Sequence, residues 1–286
     1  MTASPLRAPR ALFVCGALAA ALALPGSTQA EDLKLPRPSH GAKVSATVGV
    51  TEVSVDYSAP AVKGRAIWGA LLPHGKVWRA GANLTTKLTL STDALVGGKP
   101  VAAGTYGVFV IPSPTAWTFI LNQDAGASEQ SYQEASDVLR LQIMPQAVPA
   151  RERLSYEVLD ATDEGATLAL EWEKVRLAVP LKVDTQAMVL AQIKALKGEE
   201  SRPYNSAARW LFEHKLEAPL ALELVGKSIA LKEDWQNQWT RAELLFTKGD
   251  KAGARAAATK AEELGKKTPD NFFWADRVAK ALAEWK

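Results

Sequence analysis

The sequence predicts an α+β protein in two parts, an antiparallel, jelly-roll-like β-sandwich followed by tetratricopeptide-like α-helical hairpins. The first observation is composition, because residues 31–184 contain 12 Gly and 10 Pro whereas residues 185–286 contain 5 Gly and 3 Pro. The second is periodicity, since apolar residues alternate in the first part and recur every three to four residues in the second. We therefore place a β domain at 31–184 and a helical domain at 185–286.

The first thirty residues are predicted to be a secretory signal peptide. Met1–Arg10 carries two arginines and no acid, and Ala11–Leu24 is apolar and uncharged. Small or short residues at Thr28 and Ala30 precede a polar stretch, which completes the layout of a cleavable signal. Its apolar run spans about 21 Å as a helix, short of the ~30 Å hydrocarbon core, which disfavours an uncleaved anchor. We expect cleavage after Ala30 and a periplasmic or secreted protein.

Charge and cysteine content exclude several classes of function. The net charge is +3, and removing Arg7 and Arg10 leaves 32 cations against 31 acids, so nucleic acid is not an expected partner. Cys15 is the only cysteine. The mature chain therefore has no disulfide, thiolate zinc site or cysteine nucleophile. No later stretch is apolar enough to predict a membrane span.

The β domain is predicted to contain nine or ten short strands. A phase switch in the alternation near Gly49–Thr51 indicates a turn or bulge, and Gly97–Gly98 indicates a hairpin. Two stretches, 106–111 and 116–121, are apolar on both faces, as central strands are. The remaining alternating stretches are 44–48, 53–57, 88–90, 139–143, 154–158, 168–172 and 175–183.

The helical domain is predicted to contain six helices. Pro203 and Pro219 suit first turns, and Asp250 and Asp270 suit N-caps. The predicted helices lie near 185–199, 203–216, 219–232, 236–248, 250–265 and 271–285.

Spaced small residues suggest a tetratricopeptide-like repeat. Residues Ala242, Gly249, Ala254 and Ala261 follow spacings of 7, 5 and 7, which allow paired helices to approach closely. A weaker copy about 33 residues upstream contains Ala208, Ala221 and Ser228. A generic helical bundle is the alternative. We expect the helices to dock on the β domain or on a partner.

The most unusual segment is basic and aromatic. Between Asp56 and Asp93 the sequence has no acidic residue but has five cations and two tryptophans. Arginine forks bind carboxylates or phosphates, and tryptophan stacks on sugars or guanidinium groups. We therefore consider a small anionic or glycan ligand. The candidate binding residues are Lys63, Arg65, Trp68, Lys76, Trp78, Arg79 and Asn83.

The same segment also has a structural interpretation. Trp68 and Trp78 could close the ends of the sandwich core. Arg79 could pair with a buried acid such as Asp56 or Glu157 and fix a long loop.

The segments VKGRAIWG at Val62–Gly69 and GKVWRAGAN at Gly75–Asn83, with their surroundings, resemble the bacterial family named domain of unknown function 2911. The resemblance covers residues 35–184 and implies an exported β domain without assigning an activity. The sequence departs from the family pattern at His74, where an aromatic residue is usual, and at Leu84, where an acid is usual. The matching motifs are PRPS at Pro36–Ser39, VGVTEVSVDYSAP at Val48–Pro60, VKGRAIWG at Val62–Gly69, GKVWRAGAN at Gly75–Asn83, GTYGVFVIP at Gly104–Pro112 and WTFILN at Trp117–Asn122.

Catalytic signatures are sparse. The histidines, His40, His74 and His214, lack zinc-ligand spacing, although His74 could act as a base beside Arg79. Carboxylates of the sandwich that could support glycoside hydrolysis are Asp56, Asp93, Glu157, Glu171 and Glu173. Glu171 and Glu173 are expected to face solvent. The loop acids Asp160, Asp163 and Glu164 form a solvated turn or a weak calcium site. We predict no metal and no cofactor.

These observations favour a non-enzymatic binding or scaffold protein whose helical tail engages a protein partner. The alternative is a carbohydrate- or envelope-active enzyme using a carboxylate or His74. In a third interpretation the basic segment is wholly structural and only the tail functions. Five tryptophans of the tail could line a peptide groove or fill its core: Trp210, Trp235, Trp239, Trp274 and Trp285.

Overall fold

The computed structural model describes residues 1–2 and 35–285. The predicted signal peptide and its cleavage after Ala30 lie outside these described residues. The chain divides into two compact units, Met1–Arg37 and Pro38–Lys286, and every element below belongs to the second. Among the described helices, none has the length and apolar character needed to cross a membrane.

The β domain consists of two antiparallel sheets, which confirms the predicted fold class together with the helices that follow. The six-stranded sheet has the order β1-β2-β3-β6-β7-β8 and the four-stranded sheet the order β5-β4-β10-β9. The strands are β1 (His40–Val48), β2 (Thr51–Ala59), β3 (Thr86–Leu90), β4 (Ala94–Val96), β5 (Lys99–Val101), β6 (Gly104–Ile111), β7 (Trp117–Asn122), β8 (Asp137–Ile143), β9 (Gln146–Leu159) and β10 (Gly165–Lys182).

The core lies between the two sheets. Alternating residues of β2, such as Val53 and Val55, pack against residues of β10, such as Leu168 and Leu170, in one buried cluster. This arrangement follows from the two-residue period of strands, which places every second side chain on the core face.

The two strands predicted to be apolar on both faces are central in the large sheet. Phe109 of β6 and Ile120 of β7 point away from the main core and are fully buried with Ala127 in a second cluster. The segment 123–136, between β7 and β8, supplies Ala127 and Tyr132 to this cluster. We call this segment the cover loop, because it shields the outer face of the sheet from water.

One expectation for β10 was wrong, because Glu171 does not face solvent. It is only 4% exposed. Arg151 Nε lies 2.9 Å from one carboxylate oxygen, and Arg176 Nε donates to the other at 2.5 Å. Irregular pairing with β9 on both sides of Glu173, whose φ is 56°, brings these long side chains over Glu171. Strand alternation alone gives no signal of such coverage.

All six predicted helices are present within a few residues of their expected bounds. Asp250 caps α5 as predicted, accepting a hydrogen bond from Gly253 N–H at 2.8 Å. Asp270 instead lies inside a short 3-10 turn, Pro269–Asn271. The helices are α1 (Thr185–Lys194), α2 (Ser201–Glu213), α3 (Ala218–Leu231), α4 (Trp235–Lys248), α5 (Lys251–Lys266) and α6 (Ala275–Glu284).

Helices α2 and α3 form one hairpin and α4 and α5 a second. Six small residues at their contacts are fully buried, with 0% exposure, and recur after 33 or 34 positions. Gly249 is not one of them, since it ends α4 with φ at 92°. The six are Ala208, Ala221 and Ser228 in the first hairpin and Ala242, Ala254 and Ala261 in the second.

The β domain and the helices meet at the start of α1. Gly49, in the β1–β2 turn, donates its N–H to the Thr162 carbonyl at 3.0 Å. Thr185, the first residue of α1, donates its hydroxyl to the Asp163 carbonyl. Met188 of α1 packs against the sandwich core. The first helix is therefore anchored on the sandwich.

Candidate functional site

The seven candidate binding residues lie on the long connection from β2 to β3. Its first part follows β9, where Val62 N–H donates to the Glu152 carbonyl at 2.8 Å. Its second part follows β6, where Trp78 and Val110 exchange two backbone hydrogen bonds of 2.8 Å. The connection thus crosses from one sheet to the other.

Of the two tryptophans of this connection, Trp78 belongs to the core and the half-buried Trp68 packs against it. Trp78 is 3% exposed and its indole N–H donates to the Gly81 carbonyl at 2.9 Å. Trp68 lies 4.5 Å from Trp117 and 5.8 Å from Trp172 between ring centroids, and Trp78 stacks on Trp172 at 5.9 Å. These four rings form one aromatic cluster of the sandwich core, which agrees with a structural role for Trp68 and Trp78.

Arg79 and Asn83 tie the end of the connection to neighbouring segments. The guanidinium of Arg79 donates to both carboxylate oxygens of Glu129, at 3.2 and 3.0 Å, and also to the Asn83 carbonyl. The Asn83 amide donates to the Ser39 carbonyl at 2.8 Å. Arg79 therefore has an acidic partner, located in the cover loop.

Neither acid suggested from the sequence is that partner. Asp56 pairs with Lys43 at 3.2 Å, and Glu157 pairs with Arg151 at 2.8 Å. Sequence spacing cannot identify Glu129, because the cover loop approaches Arg79 only through the pairing of β6 with β7.

The remaining three candidates are exposed cations. Arg65 donates to the carbonyls of Val62 at 3.0 Å and Ala61 at 2.6 Å, so it closes its own turn. Lys63 and Lys76 have no ion-pair partner among residues 35–285. They lie on the two different parts of the connection.

A large cleft of about 1030 Å³ lies elsewhere, at one end of the small sheet beside the start of α1. Its lining includes Asp93, Asp160, Glu164 and Asp184. Within the described residues, no group of three or more His, Cys, Asp or Glu side chains is arranged to hold a metal ion. His74 is exposed and does not line this cleft, so the proposed base and these carboxylates are separated.

An apolar groove lies on the helical tail. It has a volume of about 440 Å³ and lies where the α2–α3 turn meets the end of α4. Glu213, Lys215 and Lys248 stand beside its apolar walls. These walls are formed by Leu211, Phe212, Leu216, Leu222 and Leu244.

The five tail tryptophans, which the sequence offered either as the lining of a peptide groove or as core residues, do not line this groove. Trp235 and Trp239 are buried in the tail core, and Trp274 and Trp285 pack against that core. Trp210 stacks on the His214 ring at 4.2 Å. The sequence feature that could have indicated this groove is the leucine content around the α2–α3 turn.

An ion cluster around the buried Glu243 lies beside the groove. Glu243 of α4 pairs with Arg209 of α2 and, at 2.5 Å, with Arg277 of α6. Arg209 also holds Glu213 at 2.7 Å, at the groove edge. Burial raises the pKa of Glu243, and the guanidinium groups of Arg209 and then Arg277 oppose that rise. One carboxylate thus links three helices.

Comparison with known proteins gives one match. The model of the family described as "Protein of unknown function (DUF2911)" matches residues 39–181, which is half of the chain. No curated protein and no solved structure matches this chain. The match covers the sandwich and ends before the helical tail.

Proposed function

The chain belongs to the family described as Protein of unknown function (DUF2911). Because that description assigns no activity, we propose a function from the sequence and structure of this chain. In this proposal the protein is an exported, non-enzymatic binding protein. Its β-sandwich is a scaffold, and its tetratricopeptide-like helical tail binds a protein partner. Export rests on the signal-like residues 1–30. It predicts a mature chain beginning at Glu31, which N-terminal sequencing of the periplasmic fraction tests.

The observation that carries the proposal is the repeat of two helical hairpins. Buried small residues recur after 33 or 34 positions, as from Ala208 to Ala242 and from Ala221 to Ala254. Stacks of such hairpins form extended surfaces that bind other proteins. The apolar groove beside the first hairpin supports a binding role for this stack.

The contacts of the sandwich support a scaffold role. Trp68 and Trp78 pack in its core, and Arg79 is occupied by Glu129. A small anionic or glycan ligand on the sandwich would depend on Lys63 and Lys76, which lie on different parts of the β2–β3 connection. The enzyme alternative uses a carboxylate or His74, and of these candidates Asp93 lines the acidic cleft whereas His74 does not.

Photo-crosslinking in cells tests the proposal. A photoreactive phenylalanine replaces Phe246 of the tail, which is 37% exposed, and in a control replaces Met144 of the sandwich, which is 67% exposed. We expect a discrete protein adduct from position 246 and none from position 144. The adduct's protein, once purified, should bind the full mature chain in titration calorimetry.

Two results would overturn the proposal. One is an absence of adducts from position 246, or adducts from position 144 alone. The other is turnover of envelope glycans by the purified chain, which would favour the enzyme alternative.

A further inference from the structure

We infer that the apolar groove of the tail binds a short acidic peptide segment of the partner, with apolar side chains as anchors. The inference rests on the proposed protein-binding role of the tail and names the chemistry of what the tail binds. The groove combines an apolar interior with unpaired positive charge at its edge, and this combination favours an occupant that is both apolar and acidic.

The interior of the groove suits apolar anchors. Its volume of about 440 Å³ falls within the range of about 300–1,000 Å³ that is typical of ligand pockets. Leu216 and Leu222 are half-buried in its walls, over the buried side chains of Leu211 and Leu244. An apolar side chain entering here would remove these walls from water, which favours binding.

The groove is preformed by the α2–α3 turn. Leu216 N–H donates to the Leu211 carbonyl at 2.9 Å, and Lys215 N–H donates to the Phe212 carbonyl at 3.1 Å. Ala221 N–H donates to the Glu217 carbonyl at 3.0 Å at the start of α3. A preformed site avoids the entropy cost of ordering the groove on binding.

The charges at the groove edge favour an acidic occupant. Lys215 and Lys248 are exposed and have no ion-pair partner among the described residues. Glu213, the acid at the same edge, is neutralised by Arg209 at 2.7 Å. The edge therefore presents two uncompensated cations to a ligand, which attract aspartate or glutamate flanking the apolar anchors.

The test is selection from a phage-displayed library of random peptides on the full mature chain. The matched control is Ala218→Phe, since Ala218 is exposed and lines the groove, so that a phenylalanine there fills it from outside the core. Enriched peptides should contain neighbouring apolar residues and an excess of acids. They should bind the wild-type chain and lose binding to the Ala218→Phe variant, whose circular dichroism should match that of the wild type.

Charge variants test the acidic preference. Lys215→Gln with Lys248→Gln should weaken binding of an enriched peptide by about tenfold. Lys267→Gln, at the far end of α5, should leave binding unchanged. Enriched peptides that are basic, or that bind Ala218→Phe as tightly as the wild type, would overturn the inference.

The outcomes separate this inference from the proposed function. A partner crosslinked through position 246 that binds wild type and Ala218→Phe equally would overturn the groove assignment and leave the tail as a protein-binding domain. Absence of both enriched peptides and adducts would overturn both. Binding of laurate that Ala218→Phe blocks, without any enriched peptide, would make the groove a lipid site and overturn the peptide assignment.

Discussion

Arg79 and Glu129 form a two-point ion pair that joins the β2–β3 connection to the cover loop. Arg79 Nε and Nη2 lie 3.2 and 3.0 Å from the two carboxylate oxygens, and each side chain is 26% exposed. Such paired geometry fixes the relative orientation of the two segments. The cation that the sequence offered as a ligand fork is therefore engaged within the protein.

We predict that Arg79→Ala lowers the free energy of unfolding by about 1–2 kcal/mol, a moderate loss because the pair is partly solvated. Glu129→Gln should cause a similar loss. Urea unfolding of both single variants and the double variant gives the coupling energy. Strictly additive losses would contradict a direct interaction between Arg79 and Glu129.

The tryptophan cluster gives a second prediction. Trp78→Ala should destabilise the protein by about 3–5 kcal/mol, because it removes a buried ring that packs on Trp172. Trp78→Phe should cost less, since it keeps most of the ring and loses the hydrogen bond to Gly81. Thermal or urea unfolding monitors both. Unchanged stability in Trp78→Ala would instead favour a ligand-binding role for this ring.

Much of the fold could be predicted from the sequence, because local periods encode it. Alternation located β2 and β10, and the phase switch near Gly49 located the first turn. Burial of Glu171 could not be predicted, since it depends on arginines brought over it by irregular strand pairing. The path of the segment from Lys63 to Asn83, which crosses from one sheet to the other, could not be predicted from sequence proximity either.

The apolar groove of the tail could not be predicted from the sequence for a related reason. Its walls come from three helices, from Leu211 of α2 to Leu244 of α4. Each leucine fits an ordinary amphipathic helix, and only the packing of one hairpin on the next leaves a space between them. The spaced alanines predict close packing of the helices. They do not predict the apolar groove at the edge of that contact.

The contact between the sandwich and α1 gives a third prediction. A Cβ at Gly49 would overlap the Thr185 hydroxyl and lie 2.5 Å from the Asp163 carbonyl oxygen, at a φ of 58°. Gly49→Ala should therefore destabilise the protein by more than about 2 kcal/mol. Gly98→Ala is the matched control, with φ at 79° and no atom within 4 Å of the added Cβ. It should cost only about 1 kcal/mol of backbone strain.

Equal losses in the two variants by urea unfolding would contradict a close contact at Gly49. A larger loss for Gly49→Ala would show that the turn tolerates no side chain against the start of α1.

Helix α5 gives a fourth prediction about the repeat. Ala254 is fully buried at a hairpin contact, whereas Ala256 in the same helix is exposed. Ala254→Leu should lower the free energy of unfolding by about 1–3 kcal/mol through overpacking. Ala256→Leu should lower it by less than about 0.5 kcal/mol. Helix propensity is matched between them. Comparable stabilities in thermal unfolding would contradict close approach of α4 and α5 at Ala254.

The ion cluster around Glu243 gives a prediction of pH dependence. Burial raises the pKa of this carboxyl in the folded protein above its unfolded value, against the pull of Arg209 and Arg277. The folded state then binds a proton more tightly than the unfolded state. As pH rises through the interval between the two pKa values, the free energy of unfolding should fall.

Glu243→Gln removes this titration and keeps the volume of the side chain. The wild type should therefore lose stability relative to Glu243→Gln as pH rises through that interval. Glu284→Gln, which replaces an exposed acid near Lys280, is the control and should leave the wild-type pH profile unchanged. Urea unfolding across a pH series measures all three proteins. A wild type that instead gains stability relative to Glu243→Gln with rising pH would mean that the two guanidinium groups outweigh burial at this carboxylate.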